Sequence, residues 1–293
     1  MKNKKNQNKA NKMKKVFLNL IYVFLGILLF KTFIPNLSEG FQTKTETLSK
    51  KEIPKIIIQT WKNKDTSRFK ALQDSVKNYN PDFEYKFFTD EDIETFLKEN
   101  YPSYLIIYNQ LPIKIMKIDF FRYIAVYHYG GFYLDLDVEC HKSLEPLTKY
   151  SCVFPIENLL YKHVCKVNKE LGRYKNHDCE KYKYDVGQYA FGAAKNHPFL
   201  RDLVENIASN IDVINEEYKK IINSNKPDTK FLVYYSTGPD YVSHLYYEYK
   251  KTKYPSQGYN VELLHGGFDE RTKAYNLFKF GEYGKHKTFG TWK

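Results

Sequence analysis

The sequence predicts an α/β domain, with strands and helices alternating to build a mostly parallel sheet covered on both faces. Three stretches carry that prediction. Residues 53–61 (IPKIIIQTW) form a near-continuous apolar run, as expected of a strand buried on both sides. Residues 84–88 (EYKFF) read as a second strand, reached through a helical stretch at 65–78 and an Asn80-Pro81 turn. Residues 118–138 (IDFFRYIAVYHYGGFYLDLDV) then pass from helix to strand through two glycines. Further helices are expected at 91–98 and 101–110. In such sheets ligands gather at the carboxyl ends of the strands, where Trp61 and the acids near residue 136 would meet.

The third stretch holds the chemistry. Ile115, Ile118, Phe121, Ile124 and Ala125 recur along one helical side, while Asp119 and Arg122 stand three apart and share a face. Gly130-Gly131 ends the helix, since glycine takes positive φ without a Cβ penalty. From 132 to 138 the alternation of a strand puts Tyr133, Asp135 and Asp137 on one side. Phe132, Leu134, Leu136 and Val138 take the other. Two carboxylates that close repel unless a cation neutralises them or one takes a proton. A hard divalent ion with oxygen ligands answers that need, and suits a site that also holds phosphate oxygens. The plainer reading is an edge strand with solvated acids.

The combination of Asp119, Arg122-Tyr123, Gly130-Gly131 and Asp135-Leu136-Asp137 resembles the D-x-D sugar transferases of glycosyltransferase family thirty-two. These include alpha-1,6-mannosyltransferase-type enzymes, and the large clostridial glucosylating toxins share much of the layout. The opening strand resembles that family's I-P-K-I-I-H-Q-T-W, with Ile58 in place of its histidine. Residues 185–198 resemble its amide-bearing segment before His-Pro, with Gln188 near the donor sugar and Asp185 as the competing candidate. Thr237-Gly238-Pro239 resembles its T-G-P helix opener, and residues 284–292 its terminal His…Gly-Ser-Trp. The resemblance implies a GT-A fold, a Rossmann-like nucleotide-sugar-binding sheet flanked by helices.

It also implies roles. Asp135, Asp137 and Arg122 would be catalytic, and Asp137, Asp135 and His286 would hold Mn²⁺ or Mg²⁺. Trp61, Asp119, Arg122, Tyr133, Asp135, Gln188 and Trp292 would bind the donor. The activity implied is metal-dependent, retaining transfer of a hexose from a UDP- or GDP-linked donor to a glycan, lipid or protein acceptor. Two other classes fit the bare residues: a membrane-anchored, non-catalytic glycan or nucleotide binder, and a D-x-D phosphatase. The phosphatase pattern wants Thr or Val two residues past the second Asp, where Glu139 stands.

Residues 1–15 are a basic tail whose seven lysines supply more than half of the net charge of +12, leaving +5 for the rest. That residue of charge gives no footprint for a nucleic-acid-binding body. Residues 16–34 are apolar enough for a signal-anchor helix, a little short of the usual span of about 20 residues unless Lys31 snorkels. A cleaved signal peptide is the rival. With the lysines cytosolic, the body is expected in the Golgi or endoplasmic reticulum lumen, or in a host secretory pathway, as a single-pass type II protein. Residues 35–51 read as a linker and 52–293 as the catalytic domain.

Cys140, Cys152, Cys165 and Cys179 allow two disulfides in three pairings, and the His-x-Cys pairs at 163–165 and 177–179 raise a weaker zinc alternative. Residues 162–184 read as a charged, tyrosine-rich insertion, 200–222 as one long amphipathic helix and 261–264 as a late strand.

Overall fold

The computed structural model describes residues 51–269, 274–275 and 277–290. The basic tail, the expected anchor at 16–34, nearly all of the linker and Trp292 lie outside the described residues. Among the described residues, no helix is long and apolar enough to cross a membrane.

Apolar β1 (Ile56–Thr60) is the strand on which the N-terminal half is built, with Ile57, Ile58 and Gln59 all buried. A short 3₁₀ turn and α1 (Lys70–Tyr79) lead to β2 (Glu84–Phe88), which pairs parallel to β1. Helix α2 (Asp90–Asn100) opens on a capping box, Thr89 and Asp92 each satisfying the other's amide. Helices α3 (Pro102–Gln110) and α4 (Lys114–Tyr129) follow. From Asp119 to Val126 every side chain of α4 is buried, so its apolar character runs round the helix and not along one stripe.

The Gly130-Gly131 turn is imposed by sterics. Both residues have positive φ, 71° and 94°, and a Cβ on Gly131 would lie 2.5 Å from the Ile56 carbonyl oxygen. That close approach lets β3 (Gly131–Leu134) pair parallel to β1. β4 (Val138–Cys140), β5 (Cys152–Leu159), α5 (Lys162–Glu170), β6 (Tyr184–Val186) and β7 (Ala190–Ala193) complete the middle of the chain. The last third comprises α6 (Pro198–Ser209), α7 (Ile211–Ile222), α8 (Lys230–Ser236), α9 (Pro239–Tyr249) and β8 (Glu262–Leu264). Short strands β9 (Phe268–Asp269), β10 (Ala274–Tyr275), β11 (Lys279–Phe280) and β12 (Gly284–His286) end it.

The main sheet has the order β2-β1-β3-β7-β5-β6, with β8 on β5. It is parallel at β2-β1-β3 and β5-β8, as expected, but antiparallel at β3-β7, β7-β5 and β5-β6. The fold is therefore mixed α/β. The expected strand at 132–138 is also two pieces. It breaks at Leu134 because the Asp135 amide donates to the Tyr189 carbonyl and the Val138 amide turns back to the Asp135 carbonyl. The single helix expected at 200–222 divides at Asn210, whose side-chain amide donates to the Asn206 carbonyl at 2.8 Å. One disulfide forms, Cys165–Cys179, and Cys140 and Cys152 remain buried thiols. The two-disulfide expectation and the zinc alternative both fall, since the bridge consumes the thiols of 165 and 179.

His197 opens α6 as its cap, its Nδ1 accepting from the Phe199 amide at 3.2 Å. Burial pushes its imidazole down to about 3 from the ordinary 6.5. The unfolded chain therefore takes up a proton below pH 6.5 that the folded chain refuses, and stability falls as pH falls. Between pH 6.5 and 5 this one group should cost about 2 kcal/mol. Unfolding free energies from urea titrations at both pH values should drop by that much more for the native protein than for His197→Asn, which keeps a capping acceptor without the titration.

Candidate active site

The site is assembled where β3 ends. The Asp135-Leu136-Asp137 turn leaves the sheet there, and β12 returns antiparallel to β4 with His286 opposite Val138. The Lys287 amide donates to the Asp137 carbonyl at 2.8 Å, and the Phe289 amide to Asp137 Oδ2 at 2.9 Å. Residues some 150 positions later in the chain thus fix the second aspartate. His286 Nε2 meets Asp137 Oδ1 at 3.0 Å, and its ring stacks on Tyr189 at 4.6 Å.

Asp135, Asp137 and His286 each offer one ligand atom to a group spanning no more than 4.8 Å. The environment pulls the two acids apart. Burial raises the Asp135 carboxyl, and the Arg122 charge only partly offsets it. Burial also acts on Asp137, but the hydrogen bond and charge of His286 with the Phe289 amide outweigh it and hold this carboxyl below its usual range. His286 is depressed by burial, yet Asp137 and the charge of Asp135 overcome that and raise it. Two carboxylate oxygens and an imidazole suit a divalent cation, and His286 Nδ1 is buried with no hydrogen-bond partner among the described residues. The donor set fits a divalent cation.

Arg122, on α4, is 3% exposed and sits between two acids, its Nη2 at 3.3 Å from both Asp119 Oδ1 and Asp135 Oδ1. Its Nη1 donates to the Gln188 carbonyl at 3.0 Å and its guanidinium lies 4.6 Å from the Tyr133 ring centre. Nε has no hydrogen-bond partner among the described residues. The Tyr133 hydroxyl donates to Asp135 Oδ1 at 3.0 Å and lies 3.0 Å from Thr60 Oγ1. Asp119 is buried at the floor. Its Oδ1 also accepts from Gln188 Nε2 at 3.1 Å and its Oδ2 from Thr237 Oγ1 at 2.8 Å, and burial pushes its carboxyl up to about 6 despite Arg122. With both oxygens engaged by the protein, Asp119 holds Arg122 and Gln188 in position.

Apart from Thr237, these side chains line one cleft of ≈730 Å³ that Trp61 also lines. Trp61 extends β1 by donating its amide to the Phe88 carbonyl, and packs edge-on to Phe69 at 4.8 Å. Ile58, standing where a histidine was expected, is wholly buried. Between the two candidates near residue 187, Gln188 reaches the cleft. Asp185 is buried elsewhere, accepting from the Tyr174 hydroxyl at 2.6 Å.

Several lining residues carried no sequence signal. Glu157 and Arg173 stand on one wall, and burial with the neighbouring charge of Asp185 pushes Glu157 up to about 7. Tyr189 supports His286. Thr237, outside the cleft lining and read from sequence as a helix opener, holds Asp119. The T-G-P motif was the available clue, since the Thr237 carbonyl additionally accepts from the Tyr123 hydroxyl at 2.7 Å.

Residues 66–154 match the family described as a glycosyltransferase sugar-binding region containing the DXD motif. An inositol phosphoceramide mannosyltransferase of Schizosaccharomyces pombe is 29% identical over 237 residues, covering 79% of this chain and 56% of its own. A mannosyl phosphorylinositol ceramide synthase of Saccharomyces cerevisiae is 28% identical, covering 77% of this chain and 50% of its own. The chain thus spans about half the length of the curated relatives it matches. Among solved structures, the glycosyltransferase domain of the YGT toxin aligns over 83% of both chains at 10% identity and a TM-score of 0.45. The resemblance read from Asp119, Arg122-Tyr123 and the Asp135–Asp137 turn therefore stands, and the chain carries the DXD-containing sugar-binding region of the glycosyltransferases.

Proposed function

We propose that the chain is a metal-dependent, retaining glycosyltransferase of GT-A fold that moves a hexose from a nucleotide sugar to a glycan, lipid or protein acceptor. Mannose on a lipid-linked acceptor is the pair to test first, because the yeast relatives are named for that transfer. The observation that carries the reading is the convergence of Asp135, Asp137 and His286 beneath the cleft shared with Trp61, Arg122 and Gln188.

As the anomeric C–O bond breaks, negative charge builds on the departing nucleoside diphosphate. Asp137, His286 and Asp135 would hold the cation, which when bound supplies Lewis-acid stabilisation of that charge. Arg122 supplies fixed positive charge beside it, and its free Nε is the donor left for a diphosphate or sugar oxygen. Gln188, anchored through its Nε2 on Asp119 and its Oε1 on the Tyr123 hydroxyl, would keep one Nε2–H for the sugar. Trp61 offers its face to the nucleoside base, and Trp292 would close the same pocket. The acceptor hydroxyl would enter on the face from which the diphosphate leaves, its oxygen bonding the anomeric carbon as the C–O bond breaks and its proton passing to the departing diphosphate oxygen, so that configuration is kept. The whole protein is read as a type II protein of the Golgi or endoplasmic reticulum lumen, with 1–15 cytosolic, 16–34 the anchor, 35–51 the linker and 52–293 the catalytic domain.

Mn²⁺ should raise the melting temperature of the native protein and leave Asp137→Asn unmoved, because a ligand that binds only the folded state stabilises it. The same variant should lose at least ~100-fold in donor turnover measured by nucleoside diphosphate release. Turnover at the native rate would remove the metal-assisted reading. Trp61→Ala should raise the donor KM about ten-fold, the value of one lost base-stacking contact, with kcat little changed. A fall in kcat alone would mean that Trp61 shapes the domain and does not touch the donor.

A further inference from the structure

Trp61 follows β1, the Asp135–Asp137 turn follows β3, and Glu157 lies on β5. In the sheet order, β3 and β7 stand between β1 and β5. Three strand spacings of about 4.8 Å put roughly 14 Å between the outer two. The wall that Glu157 and Arg173 give the cleft is therefore remote from Trp61, with the two aspartates in between. It starts beside the imidazole of His286. The Tyr189 ring stacks on that imidazole, and a Cβ on Gly187 would stand 2.8 Å from Tyr189 Cε1 and 3.3 Å from Glu157 Oε2. The missing side chain of Gly187 leaves both groups room to line the cleft.

This wall carries polar groups that the protein leaves unused. Glu157 is half-buried, and its carboxylate makes no hydrogen bond or ion pair among the described residues. Arg173 comes from the insertion after α5, which the Cys165–Cys179 disulfide ties down. Asp240, at the start of α9, accepts from its Nε and Nη2 at 3.1 to 3.3 Å, and Asp185 stands 3.6 Å from Nη2. Nη1 keeps both hydrogens, with no hydrogen bond among the described residues. The Tyr189 hydroxyl is buried and also lacks a hydrogen-bond partner among those residues. Hydroxyl groups satisfy such a set, because each can donate and accept. Charge points the same way. One guanidinium faces two fully buried carboxylates before Glu157 is counted, so the wall has no surplus positive charge for a phosphate.

We propose that this wall is the acceptor subsite and holds a neutral ring with adjacent hydroxyls, a hexose or a cyclitol. Glu157 accepts from one hydroxyl while Arg173 Nη1 donates to its neighbour. Any anionic substituent of the ring points away from the wall. Calling the ring an acceptor rests on the glycosyltransferase reading, whereas its binding here does not.

The test uses the full chain with Mn²⁺ at pH 8, above the value of about 7 to which burial pushes the Glu157 carboxyl. Saturation-transfer NMR titrations with methyl α-D-mannopyranoside and with myo-inositol should show binding of at least one, and the tighter of the two distinguishes hexose from cyclitol. Glu157→Gln should weaken that ring about ten-fold, the value of one charge-assisted hydrogen bond. Its melting temperature should not fall below the native one, because the variant removes a carboxylate from beside Asp185 and Asp240. Equimolar sulfate should leave the ring bound. Failure of the native protein to bind either ring, or native affinity in Glu157→Gln, would overturn the proposal. Displacement by sulfate would overturn it by assigning the wall to an anion, and displacement by UDP-glucose or GDP-mannose by assigning it to the donor sugar. Ring binding without any Mn²⁺-dependent release of nucleoside diphosphate would overturn the acceptor role through the transferase reading, a failure separate from loss of the ring.

Discussion

The guanidinium of Arg122 is almost completely removed from water, and a charge in that position is tolerated only where its surroundings are fully committed to it. Asp119 and Asp135 flank it, the Gln188 carbonyl accepts from it, and Tyr133 gives it a ring face. Each of those partners is in turn fixed by something else: Asp119 by Thr237, Tyr133 by Thr60, and the 188–189 backbone by its bond to Asp135. The result couples α4, β1, β3, β7's approach and the start of α9 through one cation. Deleting the cation would leave the buried Asp119 carboxylate without its charge partner beside the half-buried Asp135, a far larger penalty than the loss of any one hydrogen bond.

That arrangement decides which aspartate does what. Asp135 is divided between Arg122 and the open side of the cleft, whereas Asp137 faces His286 and the amide of Phe289. One carboxyl is pushed up and the other down, although only Leu136 separates them in the chain. The alternation of an unbroken strand would have set both on one edge in equivalent surroundings. The turn at Leu134–Val138 is what makes them unequal, and it exists because Tyr189 offers a carbonyl to the Asp135 amide.

What could be read from the sequence follows from how local each cause is. Gly130-Gly131 betrays itself because positive φ is a property of two residues, and Asp119 with Arg122 because helix geometry fixes spacing three. The antiparallel β7 could not be read, since Ala-Phe-Gly-Ala has neither alternation nor a long apolar run; its identity as a strand comes from Gly192, where a Cβ would lie 2.5 Å from the Phe132 ring. The break at Asn210 was invisible for the opposite reason, because the apolar period continues on both sides of it. Thr237 looked like punctuation before Pro239, and only the tertiary fold reveals that its hydroxyl and carbonyl hold Asp119 and Tyr123. Glu157 and Arg173 belong to the same class: their meaning lies in a wall built from β5 and the disulfide-pinned insertion, which no local pattern specifies.

The late strand β12 carries this reasoning one step further. His286 reaches Asp137 only because Gly284, Lys285 and His286 pair with Cys140, Glu139 and Val138, and Gly284 is admitted there because a Cβ would meet the Glu139 carbonyl at 2.9 Å. The first aspartate thus draws on segments as late as Tyr189 and, through Asp119, Thr237, whereas the second acquires its imidazole and its two amide contacts from the chain's last described segment. Contacts of such long sequence separation are entropically the most costly to close, and form after local ones. A cation held by Asp135, Asp137 and His286 would tie the 131–138 segment to the late strand β12, so that its binding and the docking of that strand would favour each other.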